Sequence, residues 1–247
     1  VRILRDFVRH VIMESADSHG KLAAYAFMSG HQERSAVIYD SGVLSSTVNP
    51  IRSLLDAARF RSPTNPAVQG LTSFLSKEIV RGMIVVGSPV DGKCNGAWQV
   101  LNSAGPGLGK IVYSVGYALS PTGRLIPDRG SVTDAARSGW DAQATKGRIR
   151  QPLDDKKHRH NEPGNEYHTD DPSDDCGVYL RDPRWDPTNL NYSYDSMGDE
   201  RGILDALMKR HEETMSVRWT EDERRELEAA LNVAGLKFFS RHFPKKA

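Results

Sequence analysis

No stretch of this chain stays apolar over the ~20 residues that a membrane-spanning helix needs, so the sequence offers no transmembrane helix. Cysteine is scarce. Cys94 and Cys176 are the only two in 247 residues, too few for a dense disulfide framework, and free thiols in a reducing intracellular setting are the expectation. Neither sign of charge dominates: 33 Lys and Arg against 32 Asp and Glu leave a formal net charge of +1. No global field therefore draws the protein to nucleic acid or membrane, and any such contact needs a local patch. The basic N-terminus lacks a long apolar core and a small-residue cleavage site, so it does not read as a secretory signal. No internal repeat points to a solenoid.

What is present suits a packed core with polar extensions, since hydrophobic residues make up 38% and charged residues 26%. At the start, Leu4, Phe7, Val8, Val11 and Ile12 recur at helical spacing while Arg2, Arg5 and Arg9 stay off the stripe. A helix this short needs a partner surface, either its own domain or a docking site. Two apolar runs, "LAAYAFM" and "SAVIYDSGVL", read as strands, and a helix follows through Ile51, Leu54 and Leu55 with Asn49 as cap. Residues 79–88 and 94–103 read as strands. After a glycine loop, Leu108, Ile111, Val112, Val115 and Leu119 make one helical face. "RLIP" reads as a short strand. Ser131 and Asp134 have capping-box spacing for the next helix. The resulting expectation is a mixed α/β domain over residues 21–151, an irregular acidic and aromatic region over 152–197, and helices over 198–247. The helix begun at Thr220 is expected to end near Gly235.

The stretch "NSAGPGLGKIVYSVGYAL" carries the chemistry. A strand, a loop bearing Gly105, Gly107 and Gly109, and an amphipathic helix form a unit whose bare amides and helix dipole suit a phosphate. A plain tight turn would use the same glycines. A Walker loop requires Ser or Thr where Ile111 stands, and a dinucleotide fingerprint requires Gly or Ala where Lys110 stands. The loop "AGPGLGKIVY" resembles instead the coenzyme A pyrophosphate loop of the GNAT N-acyltransferases. So does the surrounding order of strands, loop, helix, short strand and helix. The resemblance implies a GNAT-like central sheet flanked by helices and acetyl-CoA as cofactor, held by Gly105, Gly107, Leu108, Gly109 and Lys110. It also implies acyl transfer to an amine. Asp128 and Ser131 are then the candidate proton handlers. Where such enzymes often use a tyrosine as acid, the helix offers Trp140, with Thr133 a second hydroxyl nearby.

A wider stretch, from Cys94-Asn95-Gly96-Ala97 through Gly107–Tyr113, Gly123–Thr133 and Trp140 to Asp174-Asp175-Cys176, resembles a family of proteins from large tailed phages and marine viral sequences. In that family the first segment is similar to "LRDFVRHVIMES", and Ile12-Met13-Glu14 resembles a prohead-protease site. The resemblance implies a capsid-targeting peptide over residues 1–14, phage scaffold or capsid proteins as partners, and a place in the virion or the cytoplasm of an infected bacterium. A non-catalytic virion or scaffold-associated protein is the alternative. His158, His160, His168 and Cys176 share one loop but match no compact zinc spacing, so no metal is expected. Tyr179, Trp185, Tyr192 and Tyr194 lie among arginines. They suit either base stacking or attachment of a long loop to its domain.

Overall fold

Alternation of apolar residues along the strands decides the layers of this protein. The computed structural model describes residues 21–58, 64–89, 92–128, 132–145, 147–153, 171–176, 190 and 192–242. Among them β1 (Leu22–Gly30), β2 (Glu33–Asp40), β3 (Val80–Gly87), β4 (Trp98–Ala104), β5 (Arg124–Ile126), β6 (Arg150–Pro152) and β7 (Tyr192–Asp195) form one sheet, ordered β1-β2-β3-β4-β5-β7-β6. Neighbours are antiparallel except β4 and β5, which are parallel. The α-helices are α1 (Ser41–Ser46), α2 (Val48–Ala58), α3 (Pro66–Phe74), α4 (Gly109–Leu119), α5 (Asp134–Thr145), α6 (Glu200–Arg218) and α7 (Glu221–His242). The mixed α/β class expected from the sequence is the class adopted.

Successive strand residues point to opposite faces. Ala24, Ile38, Ile84 and Val86 pack with α4 and with Leu204 and Leu207 of α6. Ala23, Val37, Tyr39, Met83 and Val85 pack on the other face with residues of α1, α2, α3 and α7. Helix α6 also supplies Met215 to that second core, and its Arg210 Nη1 donates to the Leu22 carbonyl at 2.8 Å. Edge strand β1 is thereby partly covered, as exposed edges require. At the other edge β6 is three residues long and ends in Pro152, which limits further pairing. No helix among the described residues is long and apolar enough to cross a membrane.

Several local readings change. The run read as one strand through Leu44 stops at Asp40, whose Oδ1 accepts from the Val43 amide at 3.0 Å and starts α1. Gly235 does not end its helix, which continues to His242. A Cβ there would lie 2.7 Å from Val37 Cγ2, so this glycine lets α7 approach the sheet. Residues 150–152 and 192–195, at the borders of the stretch read as irregular, pair as β6 and β7. Helix α5 starts at Asp134, and the Ala136 amide donates to Thr133 Oγ1 at 3.2 Å, so Thr133 takes the capping place given to Ser131.

The two cysteines are bonded, contrary to the free thiols expected. Cys94 and Cys176 bridge 82 residues with Cα atoms 4.6 Å apart, and they form a small third core with Ala97, Ile126 and Leu153. The Cys94 amide donates to the Asp175 carbonyl at 2.8 Å and the Asn95 amide to the Ser173 carbonyl at 2.7 Å. These bonds lay residues 173–176 along the entry to β4. Cys94, Asn95 and Gly96 carry φ values of 47°, 55° and 72°. Such a left-handed turn in two non-glycine residues costs energy, and the surrounding bonds hold it.

Candidate functional site

The one parallel strand pair among the described residues is short. Strand β4 meets β5 at Trp98↔Leu125 and Gln99↔Ile126 and nowhere beyond. Among the described residues it pairs from Val100 to Ala104 with β3 alone, and the register shifts there because Val85 faces Asn102 while Val86 faces Val100. Leu101 is thus the extra residue of a β-bulge, which bends a strand and re-aims its side chains. Strand β4 therefore parts from β5, and a cleft of about 100 Å³ opens in the gap. Its lining includes Val100 to Ser103 from β4, Tyr113 from α4, Asp128 after β5, Trp140 from α5 and Phe239 from α7.

The glycine loop stands at the end of β4 beside this gap. The Leu108 amide donates to the Gly105 carbonyl at 2.8 Å, and the Leu108 side chain enters the core. Leu108 therefore anchors the turn and does not present its amide. The amides of Gly107, Gly109 and Lys110 have no acceptor among the described residues, and all three residues are exposed. They are the orphan donors of a loop and a helix's first turn. Gly107 has φ +74°, and a Cβ on Gly107 or Gly109 would meet nothing within 4 Å. Gly105 is different: a Cβ there would sit 2.5 Å from Val112 Cγ2, so its bareness serves close packing against α4. The first turn of α4 has no acidic residue and does have Lys110. A cation at a positive helix end is unfavourable on its own, and an anion bound there would offset it.

Polar groups in the gap come from both sides. Gln99 Nε2 donates to Asp128 Oδ1 at 3.1 Å, which sets the carboxylate at the gap. Tyr113 stands one turn into α4, its hydroxyl bonded to Ser103, and burial pushes its phenol above the ordinary range. At neutral pH it is thus a proton-bearing donor. Its ring meets Trp140 edge-on, centroids 5.2 Å apart, and Gly139 leaves room for it. Trp140 is fully buried and forms the inner wall. Ser131 lies outside the described residues. The sequence does not single out Tyr113 as a residue of the cleft, because its place beside the apolar stripe of α4 reads as core. The bulge at Leu101 and the arrival of Phe239 from 138 residues downstream leave no local mark in the sequence.

A second constellation has a catalytic look and a structural position. The Tyr39 hydroxyl and His211 Nδ1 are 2.9 Å apart, and His211 Nε2 lies 3.0 Å from Glu228 Oε1. Tyr39 is wholly buried and His211 nearly so, leaving no approach for a substrate. Burial pulls the His211 imidazole below its ordinary range, while Glu228 and Glu212 push it up and Arg224 pulls it down. Tyr25 stacks on the same ring, centroids 5.2 Å apart. A depressed native pKa means that the unfolded chain binds the proton more readily. The stabilisation is then complete above the unfolded value near ~6.5 and is lost as pH falls below it toward the native one. The melting temperature is expected to fall between pH 7 and pH 5 by more in the wild type than in His211→Gln, as read by calorimetry. Equal falls in the two proteins would remove this account.

Cys176 lies in its disulfide and is no metal ligand, while His158, His160 and His168 lie outside the described residues. No group of three His, Cys, Asp or Glu able to hold a metal occurs among the described residues. No protein-family model matches the chain, and neither does any curated protein or any solved structure.

Proposed function

We propose that this protein is a GNAT-like N-acyltransferase that binds acyl-coenzyme A across the split between β4 and β5. The observation that carries the reading is the coincidence of two features at one place. Unpaired amides at Gly107, Gly109 and Lys110 stand at the end of β4, where that strand also leaves β5 and opens a cleft. Ligands of α/β sheets favour the carboxyl ends of parallel strands where connections diverge. The amides and Lys110 suit a pyrophosphate. The side of β4 that no strand among the described residues pairs from Val100 onward suits an extended arm bearing amides, by the pairing that adds a strand to a sheet edge. The cleft is too small for a nucleotide, so the nucleotide end would stay outside and the acyl end would enter.

Coenzyme A, when bound, supplies an acyl group activated as a thioester. The chain's own groups then have separate tasks. Asp128, oriented by Gln99, is placed to take the proton of an incoming amine. Tyr113, kept protonated by burial and held by Ser103, is placed to give one to the departing thiolate. Tyr113 thus fills the acid's role that Trp140 has no chemistry for. At 1 mM acetyl-CoA and a Kd of about 10 µM, binding would stabilise the native state by about 2.7 kcal/mol, or roughly 5–10 °C in a chain of this size. Thermal unfolding with and without 1 mM acetyl-CoA tests this, and an unchanged midpoint would favour the non-catalytic virion role.

Delivery by a phage particle rests on the sequence of residues 1–14, which lie outside the described residues. If that segment targets the prohead and is cut after Glu14, mass spectrometry of the protein from mature virions is expected to find Ser15 at its start. An intact first segment would count against processing.

A further inference from the structure

We infer that the outer face of α7 is an interface at which two copies of this chain pack, antiparallel, across a two-fold axis. The inference does not rest on the acyl-CoA reading. Asp222, Glu226, Ala229, Val233, Leu236 and Ser240 follow one another in alternating steps of four and three residues, the spacing of a coiled-coil seam. At helical spacing they lie on the side of α7 away from Leu227, Leu231, Ala234 and Phe238, which enter the core beneath it. Val233 is 43% exposed and Leu236 49%, and Ala229 is exposed beside them. The middle of α7 is thus apolar on both faces, and a helix apolar all round is one that packs on both sides. The sheet covers only the inner side.

Charge along the helix chooses the occupant. Residues 221–228 hold five carboxylates against Arg224 and Arg225, whereas residues 229–242 hold no Asp or Glu and carry Lys237 and Arg241. Lys237 Nζ donates to Thr72 Oγ1 at 2.6 Å and Arg241 Nη2 to the Ser76 carbonyl at 3.2 Å, both neutral acceptors. The acidic half would repel an anionic lipid surface, and the basic half would repel the first segment with its Arg2, Arg5 and Arg9. An antiparallel second copy meets each half with the opposite sign. The two-fold axis makes every such contact twice. It sets Glu226 of each copy toward the other's Lys237 and brings together Ala229, Val233 and Leu236 of the two seams. A parallel pair would lay acidic half on acidic half. An apolar centre of this extent belongs to the low end of interface sizes, so the expected Kd is roughly 10–100 µM.

The test is sedimentation velocity of the full chain from about 5 to 500 µM, a range that brackets the expected Kd. The sedimentation coefficient is expected to climb from monomer to dimer across it. Val233→Lys, at an exposed position, is expected to weaken association at least roughly tenfold. Glu226→Lys and Lys237→Glu each set like charges together in their own dimers and are expected to do the same. An equimolar mixture of those two is expected to recover the dimer, since each supplies the charge that the other lacks. If Lys237→Glu does not fold, Val233→Lys and Leu236→Lys carry the test. A chain still monomeric at the highest concentration, or a dimer that the folded variants leave intact, would overturn the inference. A mixture no more dimeric than its parts would overturn the antiparallel arrangement. A monomer that dimerises only once residues 1–14 are removed would make that segment the occupant. A monomer that co-sediments with phosphatidylserine vesicles would make it a lipid surface. Either result replaces the second copy.

Discussion

Gly107→Glu is expected to weaken coenzyme A binding about a hundredfold, while Gly107→Asn keeps it within roughly tenfold. The expectation comes from charge. A carboxylate added about 5 Å from two phosphate charges, at a dielectric between those of surface and bulk water, repels them by about 3 kcal/mol, or roughly 150-fold in Kd. Space does not prevent either substitution, because a Cβ at Gly107 meets nothing within 4 Å. Backbone conformation does matter: φ is +74°, where a glutamate costs about 1–2 kcal/mol and asparagine less. Asparagine thus separates the loss of glycine from the arrival of negative charge. Isothermal titration of both variants reads the difference. Glu and Asn variants of equal affinity would mean that no anion sits at this loop.

Opening the Cys94–Cys176 bridge is expected to cost about 4 kcal/mol and to lower the melting temperature by roughly 8–16 °C. The size follows from the 82 residues that the bridge encloses, since a longer closed loop removes more freedom from the unfolded chain. The left-handed turn at Cys94, Asn95 and Gly96 adds to the effect, because the tether helps to hold it. Calorimetry with and without reductant measures the loss, with thiol titration to confirm opening. Cys94→Ala, Cys176→Ala and the double variant are expected to lose similar amounts, as one bond removed three ways must. A midpoint unmoved by complete reduction would show that the bridge contributes nothing to stability.

Features written in a short window of sequence were legible, and those made by distant segments were not. The stripe from Leu108 to Leu119 repeats at helical spacing and folds as α4, because a helix that buries one face needs that period. The glycine loop was legible for the same local reason. Its three glycines nevertheless divide their work: Gly105 admits Val112, and Gly107 and Gly109 leave open space. Gly235 resembles a helix end by composition alone. Its absent side chain is used against Val37 on a strand almost two hundred residues earlier, which no local rule can register. The bridge between Cys94 and Cys176 was hidden by its span. Strands β6 and β7 were hidden because a few polar residues beside a long insertion carry no period. In the cleft, Asp128 was legible as the carboxylate after a short strand. Tyr113 and Phe239 were not, because the bulge at Leu101 and the packing of α7 give them their place.

On the proposed reading, the amides of Gly107, Gly109 and Lys110 grip a pyrophosphate while the coenzyme's arm lies along the side of β4 that no described strand pairs. Backbone amide resonances of these residues in ¹⁵N-labelled protein, followed during titration with coenzyme A and separately with pantetheine, test it most directly. Coenzyme A is expected to shift all three downfield and saturably, and pantetheine, which lacks the pyrophosphate, to leave them in place while moving residues 100–103. Resonances of the loop that stay fixed through a saturating titration with coenzyme A would contradict the claim.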